Sequence, residues 1–124
     1  MEEIKKNNNL MDKTPDKWVV IKLLDKDKTS PIYKVFGTWY GGYTGSDSWK
    51  LNSGVRSIED NETSYIFNGY SGSKYICSKN KSSYGTSSYT GSVLNSIIDS
   101  VSDYKHNSIE VLTHDNNWLK LKDI

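Results

Sequence analysis

Cysteine, histidine, arginine and long apolar runs are scarce in this sequence, and each shortage excludes a class of protein. Cys77 is the only cysteine among 124 residues, so no intramolecular disulfide can form. No cluster of cysteine and histidine has the spacing of a metal site. No segment approaches the ~20 consecutive apolar residues that cross a membrane, and residues 1–16 contain no apolar stretch typical of a signal peptide. We therefore expect a cytoplasmic protein that binds neither a membrane nor a metal.

The few groups that could carry catalysis are poorly placed for it. His106 and His114 are the only histidines, and both fall at predicted ends of secondary structure, where we expect solvated surface side chains. Acidic residues gather in turns such as 25–27 and 59–60, and no catalytic carboxylate pair stands out. Cys77 lies in an apolar run, which predicts a buried and inert thiol. We therefore expect no enzyme and no cofactor.

Positive and negative charges almost cancel. Sixteen basic and fifteen acidic residues give a formal net charge of +1 without a long basic run, which disfavours binding to duplex nucleic acid. Arg56 is the single arginine, and every other basic residue is a lysine. A lone arginine suits forked recognition of a phosphate or carboxylate, and it is equally consistent with a surface charge on a strand. Both interpretations stay open.

In several segments of the chain, apolar and polar residues alternate at the two-residue period of β-strands. Hydrophobic residues make up 35% and aromatic residues 12% of the sequence, so aromatic rings must supply much of a small core. The predicted strands are residues 17–23, which are apolar on both faces, 32–40, 49–58, 64–68 and 74–78. Turn-forming residues between them indicate an antiparallel meander. Residues 1–16 are expected to form a flexible arm outside the single domain 17–124.

The hydrophobic period changes to that of a helix near residue 92. Apolar residues at positions 93, 94, 97, 98, 101 and 104 form one stripe, with Thr90 or Ser92 as the N-cap. Two further strands, 109–112 and 118–121, are predicted around a hairpin turn at 114–117. We therefore predict an α+β fold with about seven short antiparallel strands. The strands would form an open or barrel-like sheet that packs against one α-helix in the C-terminal half.

A motif of tyrosine, a hydroxyl residue, glycine and serine occurs three times, at 43–46, 70–73 and 89–92. One interpretation is a shared turn, in which glycine takes an unusual φ, the hydroxyl bonds back to the turn and tyrosine packs over it. The other is a binding corner, in which backbone N–H groups hold an anion and tyrosine stacks on a base. The third copy favours binding, because Gly91 and Ser92 would open the predicted helix at its positive end.

The first copy lies in a glycine-rich loop between Trp39 and Trp49, with Asp47 beside it. Asp47 suits either contact with an amine or ribose hydroxyl or a structural role in the turn. If the three copies converge, they would form a pocket for a phosphorylated nucleoside. The candidate ligand-binding residues are Trp39, Tyr43, Gly45, Ser46, Asp47, Trp49, Arg56, Tyr70, Gly72, Ser73, Tyr75, Tyr89, Gly91 and Ser92. Neither a Walker A motif nor a dinucleotide fingerprint occurs.

Residues 37–55 (GTWYGGYTGSDSWKLNSGV) and 71–77 (SGSKYIC) resemble small uncharacterised proteins of phages, prophages and plasmids. The resemblance spans roughly residues 36–118, most of a small domain. It implies a setting and no roles for individual residues. Small proteins of mobile elements are often antagonists of host defence, which either sequester nucleotide second messengers or contact a defence enzyme directly.

Three hypotheses of function follow. The first is a non-catalytic module that sequesters a small nucleotide-type ligand, such as a cyclic nucleotide or an ADP-ribose-type signal. Burial of such a ligand by so small a domain predicts a homo-oligomer. The second is a protein–protein inhibitor, for example of the anti-CRISPR or anti-restriction type, whose exposed tyrosines and tryptophans contact a host defence enzyme. A structural or regulatory domain without a small ligand is the third.

Overall fold

The computed structural model describes residues 12–25, 30–41, 45–102, 107–112, 114 and 118. In chain order its strands are β1 (Asp12–Lys13), β2 (Lys17–Asp25), β3 (Ile32–Trp39), β4 (Ser48–Leu51), β5 (Val55–Asp60), β6 (Ser64–Gly69), β7 (Lys74–Ser78) and β8 (Asn107–Val111). A 3-10 helix (Lys81–Ser83) and the α-helix α1 (Ser88–Ser102) lie between β7 and β8. Within these residues, no helix has the length and apolar character needed to cross a membrane.

The strands form two four-stranded sheets, ordered β1-β7-β6-β5 and β4-β3-β2-β8. Neighbouring strands are antiparallel except β1 and β7, which are parallel. Over the described ranges, the predicted α+β class with one α-helix is confirmed, and the sheets do not close into a barrel. The segment predicted as one strand, 49–58, contributes β4 to one sheet and β5 to the other. The chain changes sheets through Gly54, whose φ of +130° is accessible to glycine.

The larger hydrophobic core lies between the two sheets. Its buried members are Trp18, Val20, Tyr33, Val35, Ile58, Phe67, Tyr75, Cys77 and Trp118. The ring centroids of Trp18 and Trp118 are 5.9 Å apart in an edge-to-face arrangement, so a few large side chains fill the space. Cys77 is fully buried, as predicted, and this burial raises the pKa of its thiol well above the usual value.

A smaller core lies on the other face of the β2-containing sheet, beneath α1. Its buried members are Val19, Ile21, Phe36 and Leu94. Val19 and Ile21 alternate along β2 with Trp18 and Val20, and successive side chains of a strand point to opposite faces. The two apolar faces of β2 therefore correspond to a central strand that is covered by a second sheet on one side and by a helix on the other.

The start of α1 differs from the prediction. The helix begins at Ser88, and the residue before it, Ser87, is its N-cap. The backbone N–H of Thr90 donates to Ser87 Oγ at 3.2 Å, and the N–H of Ser87 donates to Thr90 Oγ1 at 3.0 Å. This reciprocal pair satisfies two donors at the helix start. The prediction of Thr90 or Ser92 as N-cap is wrong. The apolar stripe that predicted the helix begins at residue 93, so the preceding turn of the helix, which lacks this stripe, was missed.

Both ends of the chain lie partly outside the described residues. In the predicted arm, Asp12 and Lys13 pair with β7 and Pro15 is buried, whereas residues 1–11 are not described. Near the C-terminus, β8 contains most of the predicted strand 109–112. The predicted strand 118–121 lies outside the described residues except for Trp118, whose side chain is fully buried.

Candidate functional site

A surface cavity of about 360 Å³ lies between the loop that connects β3 to β4 and the first turn of α1. Gly45, Ser46 and Asp47 line it from the loop, and Tyr89 lines it from the helix. The cavity therefore joins the first and third copies of the repeated motif, which are separated by more than forty residues in the sequence. Its volume is at the lower end of the range for small-molecule sites.

A hydrogen bond between the two ends of the loop fixes the loop side of the cavity. The backbone N–H of Gly41 donates to Asp47 Oδ1 at 2.9 Å. A side chain at position 41 would collide with the backbone of Ser46, so glycine is needed for this close approach. Gly45 has φ of +76°, a conformation that other residues adopt at a cost. Asp47 therefore has the structural role in the turn through its Oδ1 atom.

The helix side of the cavity is fixed by a buried contact between α1 and β3. Thr90 Oγ1 and Thr38 Oγ1 are 2.8 Å apart, and both side chains are fully buried. Because Tyr89 precedes Thr90 in the first turn, this contact places the Tyr89 ring beside the loop. The ring itself is 54% exposed.

Tyr40 and Trp49 lie on either side of this loop in the chain, and Tyr89 faces it from α1. All three are exposed, and we call them the aromatic rim. Tyr40 follows β3 directly, and Trp49 lies in β4 opposite Thr38. The Trp49 ring stacks on Phe36 with centroids 5.5 Å apart and an interplanar angle of 16°. Its outer face remains accessible, with 38% of the side chain exposed. The rim therefore combines exposed rings with a fixed backbone.

The charge of the cavity does not favour an anion. Among the described residues of its lining, Asp47 is the only charged one. The start of α1 offers no site at Gly91 and Ser92, because these residues lie inside the helix: Gly91 N–H donates to Ser87 O at 2.8 Å, and Ser92 Oγ donates to Ser88 O at 3.2 Å. The expectation that this pair would open the helix is wrong, since the N-cap lies four to five residues earlier.

The second copy of the motif lies elsewhere, in the turn between β6 and β7. Gly72 has φ of +95°, and Gly69 N–H donates to Ser73 O at 2.8 Å, so this copy is a hairpin turn. The Tyr70 ring packs over Gly54, close to Ile32 at the start of β3. The cavity lies beyond the other end of this eight-residue strand, on the order of 20 Å away.

The remaining candidate residues that the structure describes are not part of the cavity lining. Trp39 packs against the larger core, and its ring centroid is 6.3 Å from that of the buried Tyr75. Arg56 is exposed on β5, which belongs to one sheet, whereas the cavity loop connects two strands of the other sheet. Tyr43 lies outside the described residues. The structure therefore brings together four of the predicted residues, Gly45, Ser46, Asp47 and Tyr89, with Trp49 nearby.

His114 occupies an environment that the sequence did not predict. Its ring stacks on Tyr84 with centroids 4.1 Å apart and lies edge-on to Trp18 at 4.9 Å. The ring Nε2–H donates to the carbonyl of Trp18 at 2.9 Å. The prediction of a solvated surface histidine is wrong: burial lowers the pKa of His114, and the hydrogen bond offsets part of this effect. The sequence neighbours of His114 are mostly polar, so no local pattern predicts these contacts.

The site as a whole is suited to binding. A tyrosine ring, a carboxylate oxygen and backbone groups can contact a ligand, and within the described part of the chain no group of three or more metal-ligating side chains occurs. Comparison of the chain with protein-family models, with curated proteins and with solved structures gives no match.

Proposed function

We propose that this chain is a non-catalytic binding protein that engages a partner protein through the aromatic rim and the adjacent cavity. The observation that carries this proposal is that the exposed Tyr89 lines a cavity together with residues 45–47, while Tyr40 and Trp49, also exposed, lie on either side of that loop in the chain. Tyrosine and tryptophan dominate the energetics of protein interfaces, because their rings bury a large area with few rotatable bonds.

Contacts with neighbouring side chains hold two parts of the aromatic rim in place, which favours a role in binding. Trp49 is stacked on Phe36, and the turn that carries Tyr89 is tied to β3 by the Thr38–Thr90 contact. Side chains and loops that are already ordered lose less conformational entropy when a partner binds. The resemblance to proteins of mobile elements suggests that a host defence enzyme is the first class of partner to test.

The proposal is tested by capture of the partner from a host lysate on wild-type protein and on matched variants. Tyr89→Ala removes a rim residue, and Tyr70→Ala removes another exposed tyrosine, near the opposite end of β3. We expect a stoichiometric partner on wild type and Tyr70→Ala, and at least about a tenfold lower affinity for Tyr89→Ala. Equal capture by all three proteins would contradict the proposal.

A nucleotide-type ligand is a second candidate, supported by one specific observation. The Tyr89 ring lies beside the backbone of Gly45 and Ser46 and the Asp47 carboxylate, so a base can stack while a ribose hydroxyl or an amine donates to the carboxylate. The phosphates of such a ligand must point away from Asp47. Sequestration of a cyclic nucleotide or ADP-ribose-type signal would then need further contacts, for which a homo-oligomer is the simplest source.

Calorimetric titration separates this candidate from the first. The panel contains cyclic dinucleotides, cyclic trinucleotides and cyclic ADP-ribose isomers. If the protein sequesters one of them, heat is released on titration into wild-type protein and is reduced in Tyr89→Ala. Absence of heat from every member of the panel would count against a nucleotide ligand and leave the partner-protein proposal intact.

A further inference from the structure

The described sheets end in four edge strands, β1, β5, β4 and β8. Of these, β4 and β8 each have regular register and a single charged residue, and β4 is the one that directly follows the cavity loop. β1 contains only two residues. β5 has a bulge between Val55 and Ser57 and carries several charged side chains, which are common devices against edge pairing. β4 pairs with β3 in regular register over all four of its residues and has a single charge, at Lys50.

The register shows which backbone groups of β4 point outward. Asn52 pairs with Val35: Asn52 N–H donates to Val35 O at 3.1 Å, and Val35 N–H donates to Asn52 Oδ1 at 2.9 Å. Because bonded and non-bonded positions alternate in an antiparallel pair, Lys50 also faces β3. The N–H and C=O groups of Trp49 and Leu51 therefore point away from β3. Among the described residues, no strand pairs with this side of β4.

We propose that β4 accepts an extended segment of the partner protein as an additional strand, with an acidic residue of that segment opposite Lys50. This inference rests on the proposed function and names its contact. Main-chain hydrogen bonds to Trp49 and Leu51 hold the segment. Peptide-binding domains of this kind combine such bonds with pockets that receive alternate side chains, and the cavity at Gly45–Asp47 lies directly before β4.

Charge distinguishes a partner segment from a second copy of this chain. Lys50 is exposed and forms no ion pair with another described residue. Two copies of β4 that paired symmetrically about position 50 would place two lysines opposite each other, which is unfavourable. An acidic residue at that position of a partner strand would be attracted instead.

The side chains on the Trp49 face define the rest of the segment. Successive residues of a strand point to opposite faces. In the added segment, the residue beside the Trp49 ring therefore lies on the same face as the segment residue two positions further along, in the direction of Asp47. An aromatic or apolar residue is expected beside Trp49. A basic or hydroxyl-bearing residue is expected at the cavity, because Asp47 is the charged residue in the described part of the lining.

The test uses selection from a random peptide display library on the full chain and on Lys50→Glu. Wild-type protein should select peptides that alternate in character and carry an acidic residue at one position, whereas Lys50→Glu should select a basic residue there. Exchange of the charge in one selected peptide should weaken binding to wild type by about two- to fivefold. Circular dichroism of both proteins controls for folding of the exposed substitution.

Amide hydrogen exchange then locates the bound peptide. The amides of Trp49 and Leu51 should become protected, whereas the amide of Lys50, which already bonds to β3, should change little. Absence of enriched peptides, or peptides that protect no amide of β4, would overturn strand addition. So would protection of Trp49 and Leu51 in the protein alone with a dimer in ultracentrifugation, because a second copy would then occupy the edge. The proposed function fails separately, through equal partner capture by Tyr89→Ala and Tyr70→Ala.

Discussion

The hydroxyl groups of Thr38 and Thr90 meet 2.8 Å apart in a fully buried contact that joins β3 to the first turn of α1. Thr38 is the strand neighbour of Trp49, and Thr90 follows Tyr89 in the helix. This one hydrogen bond therefore lies between two rings of the aromatic rim. It also connects to the helix cap, because Thr90 Oγ1 accepts from Ser87 N–H.

Replacement of Thr38 by valine should destabilise the fold by about 1 kcal/mol, because a buried hydrogen bond is lost while the side-chain shape is kept. Thr38→Ser, which retains the hydroxyl, is the matched control for the hydrogen bond. Urea unfolding followed by tryptophan fluorescence measures the free energies of unfolding. If valine leaves the free energy of unfolding unchanged, the hydroxyl contact does not anchor the helix.

Replacement of Ser87 by alanine should cost about 1 kcal/mol of stability, as is usual for loss of an N-cap side chain. Ser92→Ala is the control: Ser92 is exposed in the second turn, where alanine is the better helix former. Its free energy of unfolding should be unchanged or slightly higher. Larger destabilisation by Ser92→Ala than by Ser87→Ala would place the cap where the sequence predicted it, against the structure.

The stability of the protein should fall as the pH falls below about 6.5, where the imidazole of an unfolded chain takes up a proton. Burial lowers the pKa of His114 in the folded state, so over the interval between the two pKa values the unfolded chain binds more protons. Stability therefore rises with pH across that interval and is fully present above it.

His114→Phe tests this pH dependence, because phenylalanine keeps the stack on Tyr84 and cannot titrate. The difference in free energy of unfolding between wild type and variant should shift in favour of the wild type as the pH rises through the interval. A proton NMR titration of the wild-type imidazole provides the folded-state pKa directly. Identical pH profiles for the two proteins, or a folded-state pKa at or above 6.5, would be inconsistent with the buried ring.

Alanine at Gly54 should destabilise the protein by about 2 kcal/mol, because its φ of +130° lies in a region that side chains avoid. The added methyl group would also sit 3.1 Å from the Tyr70 ring. Gly45→Ala is the comparison, since φ is +76° there and open space surrounds the new methyl group. We expect a loss of only about 1 kcal/mol for it. Thermal unfolding of both variants measures the difference, and equal losses would contradict this account.

The alternation of side chains by itself determined most of the local structure. The apolar residues of 17–23 fall on both faces of a strand, and the stripe at positions 93–98 can only be buried along one side of a helix. The pairing of strands was not determined, because β4 and β5 have compatible local patterns and adjoin in sequence. They belong to different sheets, since Gly54 and the bonds of Asn52 to Val35 turn the chain between them.

The candidate site was determined by the sequence only in part. The turn at Gly45–Asp47 follows from local chemistry, as glycine admits its φ and Asp47 closes it. That Tyr89 joins this loop while Tyr70 does not was decided by the tertiary structure, through the Thr38–Thr90 contact between residues 52 positions apart. The surroundings of His114 have the same origin, because its ring contacts Trp18, 96 positions earlier. Contacts of this range depend on how layers pack, and no local period in a sequence records them.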